Sequence, residues 1–384
     1  MKICENTKCF SCGLCAELCP VKAITMQPDR EGFPHPLIAE EKCVDCGLCN
    51  RNCPANQAIA EELTPIRTIL AFKHPEKEIR AQCASGGAFT YLAEKVLAGG
   101  GAVYGAAQSD DLLKIAHIRA ASAEELAPIR GSKYVLSDIT SVYSKAAEDL
   151  NEERTVLFSG TACQVYALKR YLSCRHVDTE RLLTCDVICH GSASPLFYES
   201  FIRYLRKKTK NQLQKYSFRD KAISWRGGSS SATLRTGETL CNTPPVASYM
   251  TVYYTDCITN ERCYSCPFAT ENRASDLTIG DFWGIEKALP AFEDEFGASV
   301  ILANTEKGLG FLRGDDQPVA LDVALDVLKQ PNLHHPLKRP ENRDAFWNDF
   351  EKKSISAVLH QYGGFGLKHK LKMYINAAKR RLKK

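Results

Sequence analysis

Beyond residue 65 the chain alternates short apolar runs with longer amphipathic stretches. Residues 68–72, 102–105, 155–158 and 182–188 are apolar, rich in β-branched and aromatic side chains, and bounded by polar or glycine-rich turns, the pattern of buried strands. Helical periodicity follows them. One helix is predicted from Ser85-Gly86-Gly87 through Leu97, stopped by Gly99-Gly100-Gly101; others cover 164–171 and 195–208. This strand–loop–helix cadence predicts an α/β body with ligand-holding loops at its strand ends. Residues 214–255 are richer in Ser, Thr, Gly and Tyr and are expected to form an antiparallel excursion; the last fifty residues read as helical and basic. Before residue 65 the periodicity fails. Only Ala23–Met26 and Pro36–Ile38 read as short strands there, and the polar 56–65 stretch marks a boundary. The expected fold class is therefore a multidomain α+β and α/β chain, divided at 1–60, 66–150, 151–330 and 331–384.

The first sixty residues are organised by cysteine instead. Cys9, Cys12, Cys15 and Cys19-Pro20 recur 34 residues later as Cys43, Cys46, Cys49 and Cys53-Pro54, each run reading C-x2-C-x2-C-x3-C-P. Such a run supplies thiolates to cubane iron–sulfur clusters, and its fourth cysteine ligates the other run's cluster. One [4Fe–4S] cluster is therefore assigned Cys9, Cys12, Cys15 and Cys53, the other Cys43, Cys46, Cys49 and Cys19. Gly13 and Gly47 repeat inside the loops, where the backbone must wrap closely. Zinc favours separated pairs of ligands, so four cysteines in eleven residues argue against it. The segment reads as a bacterial-type two-cluster ferredoxin domain.

Composition changes the picture in two ways. Eighteen cysteines with no leader before Cys4 and no apolar run long enough to span a bilayer point to metal in a reducing cytoplasm, not to disulfides. The formal charge of +5 is offset by bound clusters, which add negative charge.

In the body, Cys163 follows a strand, Cys189 ends the next one before Gly191, and Cys263-x2-Cys266 lies on a loop beside Pro267. Loops at one edge of an α/β sheet converge, so these four are candidate ligands of a third cluster. They also suit other roles: Cys163 and Cys189 as small core residues, and the pair as a zinc or redox-active site. Cys185 and Cys257 compete as ligands, while Cys83, Cys174 and Cys241 read as packing. A second constellation is a candidate anion or cofactor cradle: Ser85-Gly86-Gly87 at a helix start, Ser132-Lys133-Tyr134 after Gly131, and Gly160-Thr161. The bland alternative for Ser-Gly-Gly is a helix cap, and neither a G-x-G-x-x-G nor a P-loop fingerprint is present.

Taken in order, Ser85-Gly86-Gly87, Gly131-Ser132-Lys133-Tyr134, Gly160-Thr161-Ala162-Cys163-Gln164, Cys189-His190-Gly191, Cys263-x2-Cys266 and residues 276–281 resemble the coenzyme F-420 hydrogenase/dehydrogenase beta-subunit family over roughly residues 1–330. The resemblance implies a flavin, usually FAD, in the α/β body and a cluster near it. It also implies an iron–sulfur flavoprotein oxidoreductase, in a bacterial branch associated with surface-polysaccharide biosynthesis and acting on a small-molecule or carbohydrate substrate. Ala162 departs from the family's usual proline, which leaves Cys163 intact but weakens the case for deazaflavin reduction. A flavin would join one-electron clusters to two-electron chemistry. The rival expectations are a non-catalytic relay subunit of a larger complex, and an iron–sulfur sensor or assembly factor.

His190 is a candidate proton donor, against the simpler reading of a hydrogen-bonded structural histidine. Asp276 and Asp281 flank a strand, and Trp225, Trp283 and Tyr254 read as core before flavin stackers. From Phe365 to Lys384 there are eight Lys or Arg and no acid, with Leu367, Leu371, Tyr374, Ile375, Ala378 and Leu382 at helical spacing. Such a helix suits peripheral contact with the inner face of an anionic membrane, an acidic partner such as a ferredoxin donor, or plain solvation. Nucleic acid is not expected, because the charge gathers at one end without a binding module.

Overall fold

A computed structural model describes residues 2–222, 224–226, 229–313, 321–322 and 325–365. The N-terminal module is built on one hairpin, β1 (Ile24–Pro28) and β2 (Pro34–Ile38), paired antiparallel from Ile24 opposite Ile38 to Pro28 opposite Pro34. On either side of the hairpin lie the short helices Leu14–Leu18 and Leu48–Arg51. Each opens on a left-handed glycine, Gly13 (φ 70°) or Gly47 (φ 71°), which turns the chain back around its cysteines.

The body centres on β3 (Thr68–Phe72), β4 (Ala102–Gln108), β5 (Ile115–Ala120), β6 (Val156–Thr161) and β7 (Leu182–Val187). A small antiparallel sheet of β8 (Leu213–Ser217), β9 (Ser231–Leu234) and β10 (Thr239–Cys241) follows, then β11 (Leu277–Asp281), β12 (Ser299–Ala303) and β13 (Leu321–Asp322). The large sheet has eight strands among the described residues, in the order β13-β3-β12-β11-β7-β6-β4-β5. Its centre, β4-β6-β7-β11, is parallel; both flanks are antiparallel. The sheet is therefore mixed, because β12 and β13 return late in the chain to pair with β3. Residues 66–150 and 151–330 share this one sheet. The 214–255 excursion is antiparallel only to Cys241 and then becomes the helix Pro244–Tyr253.

The parallel centre is buried on both faces: Val156, Leu157 and Phe158 on β6 have no exposed surface. Each such side chain contributes roughly 1.5–3 kcal/mol on burial, which explains the unbroken apolar run. Helix Ala162–Cys174 packs on this sheet and also on Leu14 and Leu18 of the module, joining the two in one core. A buried ion pair adds to the join: Arg343, at the start of helix Arg343–Lys352, donates to both carboxylate oxygens of Glu31 in the hairpin turn. Among the described residues no helix is long and apolar enough to cross a membrane. The basic helix expected over 365–384 lies, apart from Phe365, outside the described residues.

Candidate metal centre

The N-terminal thiols fall into two groups. Cys19, Cys43, Cys46 and Cys49 line one cavity together with Val21, Val44 and Ile38. Cys9, Cys12, Cys15 and Cys53 are all buried on the side facing the body. Burial, and then the charges of Cys15 and Cys53, push the Cys12 thiol up; burial and Cys53 raise Cys15 to about 12. Cys53 thus lies with the first run and Cys19 with the second. Backbone N–H groups already point at sulfur, Ser11 N to Cys9 Sγ at 3.4 Å and Ala23 N to Cys19 Sγ at 3.2 Å, as a charged cluster requires.

The third group is built from three places in the body. A capping box at Thr161 starts helix Ala162–Cys174: Thr161 N–H donates to Gln164 Oε1 at 3.0 Å, setting Cys163 in the first turn. Cys189 follows β7 on a loop that turns at Gly191 (φ 151°), where a Cβ would meet Thr259 Cγ2 at 2.8 Å. That loop is tied to the next one by Asn260 N–H to Ser192 O (2.9 Å) and Ser194 N–H to Ile258 O (2.9 Å). The Cys263–Cys266 loop is held by Arg273, which donates to Phe268 O at 3.0 Å and to both oxygens of buried Asp186 on β7 at 3.0 Å. Cys163, Cys189, Cys263 and Cys266 consequently line one solvent-open cavity of about 620 Å3, with His190, Asn260, Arg262 and Arg273 in its wall.

These four thiols feel one another. Burial raises Cys163 and Cys189 to about 12 each, and facing thiols add to the shift; Cys263 is raised for the same reasons, and Cys266 by burial against the opposing pull of backbone donors, Arg262 and Arg273. As free thiols they would be inert, whereas a coordinating metal removes the proton outright. Among the described residues no three His, Cys, Asp or Glu gather around a single point closely enough for a lone ion. Four thiols on the wall of one cavity are a chemically suitable donor set for a multi-atom cluster.

The first run docks on this site. Tyr143 OH donates to Cys12 O at 2.8 Å, and Asn260 Nδ2 to Ser11 Oγ at 3.2 Å, both buried. Phe10 meets Phe268 edge-on at 5.7 Å, and the Arg262 guanidinium lies 4.8 Å from the Phe10 ring centre. Cys12 and Cys163 are close enough for their charges to interact. Sequence reasoning missed Phe10, Tyr143, Asn260, Arg262 and Arg273; the one local signal was Arg262 immediately before the C-x2-C pair.

In the expected cradle, the donors of all three segments make hydrogen bonds within the chain. Ser85 Oγ donates to Ala298 O, Gly86 N–H to Ser299 Oγ at 2.8 Å, and Gly87 N–H to Ala84 O at 3.1 Å. No donor of Gly86 or Gly87 is left for a phosphate. Gly86 is required instead by close packing, since a Cβ there would lie 2.3 Å from Phe72 O. Lys133 Nζ is likewise spent, on the carbonyls of Pro128, Ile129, Arg130 and Gly131 at 2.7–3.3 Å. Gly160 and Thr161 serve the capping box: a Cβ on Gly160 would lie 3.0 Å from Gln164 Oε1. These donors are therefore partnered within the chain itself. Tyr134 stands apart: its hydroxyl is 3.4 Å from Arg219 Nη1, which also holds Asp281 Oδ2 at 2.7 Å, while buried Asp281 Oδ1 finds no hydrogen-bond partner among the described residues. Ser132 is half-buried beside it.

His190 lines the cavity, its Nε2 2.7 Å from Asp256 Oδ1 and its ring 5.4 Å from that of Tyr253. Cys185 packs in the sheet core and Cys257 under Trp347, so neither lines the cavity. Cys83 pairs with Thr90.

Comparison with known proteins adds three matches. Residues 69–144 match the family model described as coenzyme F420 hydrogenase/dehydrogenase, beta subunit N-term, and residues 153–319 its C-terminus counterpart. Residues 8–57 match the 4Fe-4S dicluster domain. Among solved structures, a chain of the F420-reducing [NiFe] hydrogenase complex from Methanosarcina barkeri is similar at 16% identity, over 80% of this chain and 96% of that one, with a TM-score of 0.49. No curated protein matches.

Proposed function

Because the chain belongs to the coenzyme F420 hydrogenase/dehydrogenase beta-subunit family and is an iron–sulfur electron-transfer subunit of that type, we propose that it links a redox protein to a second acceptor through three [4Fe–4S] clusters. The observation that supports this most is the meeting of Cys163, Cys189, Cys263 and Cys266 on one cavity, directly against the docked first run. Cys19, Cys43, Cys46 and Cys49 would hold the outer cluster, Cys9, Cys12, Cys15 and Cys53 the inner one, and the four body cysteines the third. Bound clusters supply one-electron storage at potentials set by charge, hydrogen bonds and exposure. The chain's own residues do the rest. Arg262 and Arg273 place positive charge beside the thiolates, Ser11 and Ala23 N–H groups stabilise sulfur, and Phe10 and Phe268 exclude water between the inner and body sites.

Iron analysis tests this reading. The anaerobically purified full chain should hold about twelve irons, and alanine at Cys163, Cys189, Cys263 or Cys266 should lower that to about eight. A wild-type chain that never exceeds eight irons would sink the third cluster.

A second reading is a flavin-dependent reductase of a small-molecule or carbohydrate substrate. The unpartnered Asp281 Oδ1 beside Arg219 and Tyr134 favours it, as the place where a polar cofactor group would find an acceptor. Flavin absorbance in the same preparation decides it: protein with full iron but no retained FAD or FMN leaves the relay alone.

A further inference from the structure

We propose that Cys4 is a fifth thiol of the inner cluster site, able to take over the iron held by Cys53. The proposal rests on the two-cluster reading of the N-terminal module. Ile3 is buried, and its carbonyl accepts hydrogen bonds from Asn50 Nδ2 and Asn56 Nδ2, each at 2.9 Å. These asparagines stand on either side of Cys53 in the second run. The clamp fixes residue 4 beside that run's last cysteine, near enough for the Cys4 thiol to interact with those of Cys53 and Cys9. Cys4 also packs with the apolar group that contains Cys15 and Cys53. Five thiols thus face a site where a cubane offers four corners. The second run has no equivalent: 34 residues on from Cys4 the chain carries Ile38, in β2.

The exchange is a ligand substitution without redox change. Cys4 Sγ would replace Cys53 Sγ as the thiolate holding one iron, and the proton given up by Cys4 would be taken by Cys53 Sγ. Cys4 is half-buried and Cys53 buried, so the exchange brings the ligating position nearer to solvent.

The test uses the anaerobically purified full chain as wild type, Cys4→Ala, Cys53→Ala, the double variant, and Cys19→Ala as the counterpart without a spare thiol. Iron content and the low-temperature EPR of the dithionite-reduced protein are read. Cys4→Ala should match wild type, Cys53→Ala should keep its inner cluster, and both Cys19→Ala and the double variant should lose about four irons. Alkylation by iodoacetamide, followed by peptide mass spectrometry, gives a readout that does not need the double variant. Cys4 should be modified in wild type and protected in Cys53→Ala. The proposal is overturned if Cys53→Ala alone loses as much iron as the double variant, or if its Cys4 is alkylated as in wild type. Failure of the underlying reading would look different, with wild type and Cys4→Ala both lacking the eight N-terminal irons.

Discussion

Cys12 and Cys46 hold equivalent places in the repeat, yet Cys12 is buried under the body and Cys46 is open to solvent. The backbone is not the cause. Ser11 and Asp45 share a left-handed conformation (φ 54° and 51°), as do Gly13 and Gly47. The side chains differ. Phe10 packs on Phe268 beneath Arg262, whereas its counterpart Val44 is 60% exposed; Ser11 accepts from Asn260, whereas Asp45 faces water. Val21, which lines the same cavity as the outer thiols, is also exposed (40%). One cysteine pattern, folded twice, therefore gives an inner site walled by protein and an outer site rimmed by apolar side chains. Electron transfer to a partner protein needs a centre near the surface, and only the outer run offers one on the module.

The largest expected effect separates the two runs outright. Cys46→Ala should cost the outer cluster and abolish reduction by a protein donor, while dithionite still reduces the inner cluster; EPR with each reductant reads the difference. Reduction by the protein donor at the wild-type rate would show that the outer run is not the port.

A smaller effect should come from the join that holds the hairpin to the body. Arg343→Met leaves the buried Glu31 carboxylate with the more distant Arg30, 3.8 Å away, and losing a buried partner of this kind typically costs about 3–5 kcal/mol. Thermal and urea unfolding should show it, and a loss below about 1 kcal/mol would mean that the pair is easily replaced by water. The smallest is Tyr143→Phe, which removes one buried donor to Cys12 O and should cost about 0.5–1.5 kcal/mol. Redox titration should find the inner potential shifted and the outer one unmoved; equal shifts in both would erase the distinction drawn here between the two runs.

Much of the site was legible because its determinants are local. Cysteine spacing and left-handed glycines shape a loop within a dozen residues, and strand-end positions brought Cys163, Cys189, Cys263 and Cys266 forward as a set. The cradle's hydrogen bonds were not legible because a donor is assigned by what lies opposite it. The acceptor of Gly86 N–H is Ser299, 213 residues away, and nothing near Gly86 announces it. Lys133 shows the same limit at short range: whether its ammonium reaches outward or folds back on four carbonyls depends on how residues 127–131 turn. The mixed sheet was hidden for a related reason, since an apolar run states that a strand is buried but not which neighbour it meets or in which direction. The sequence by itself determined which cysteines stand at ligand spacing in each N-terminal run, through covalent spacing and backbone conformation. Only the tertiary structure decided which run is inner and which is outer, and that Cys4 lies beside Cys53, because those follow from packing between segments far apart in the chain.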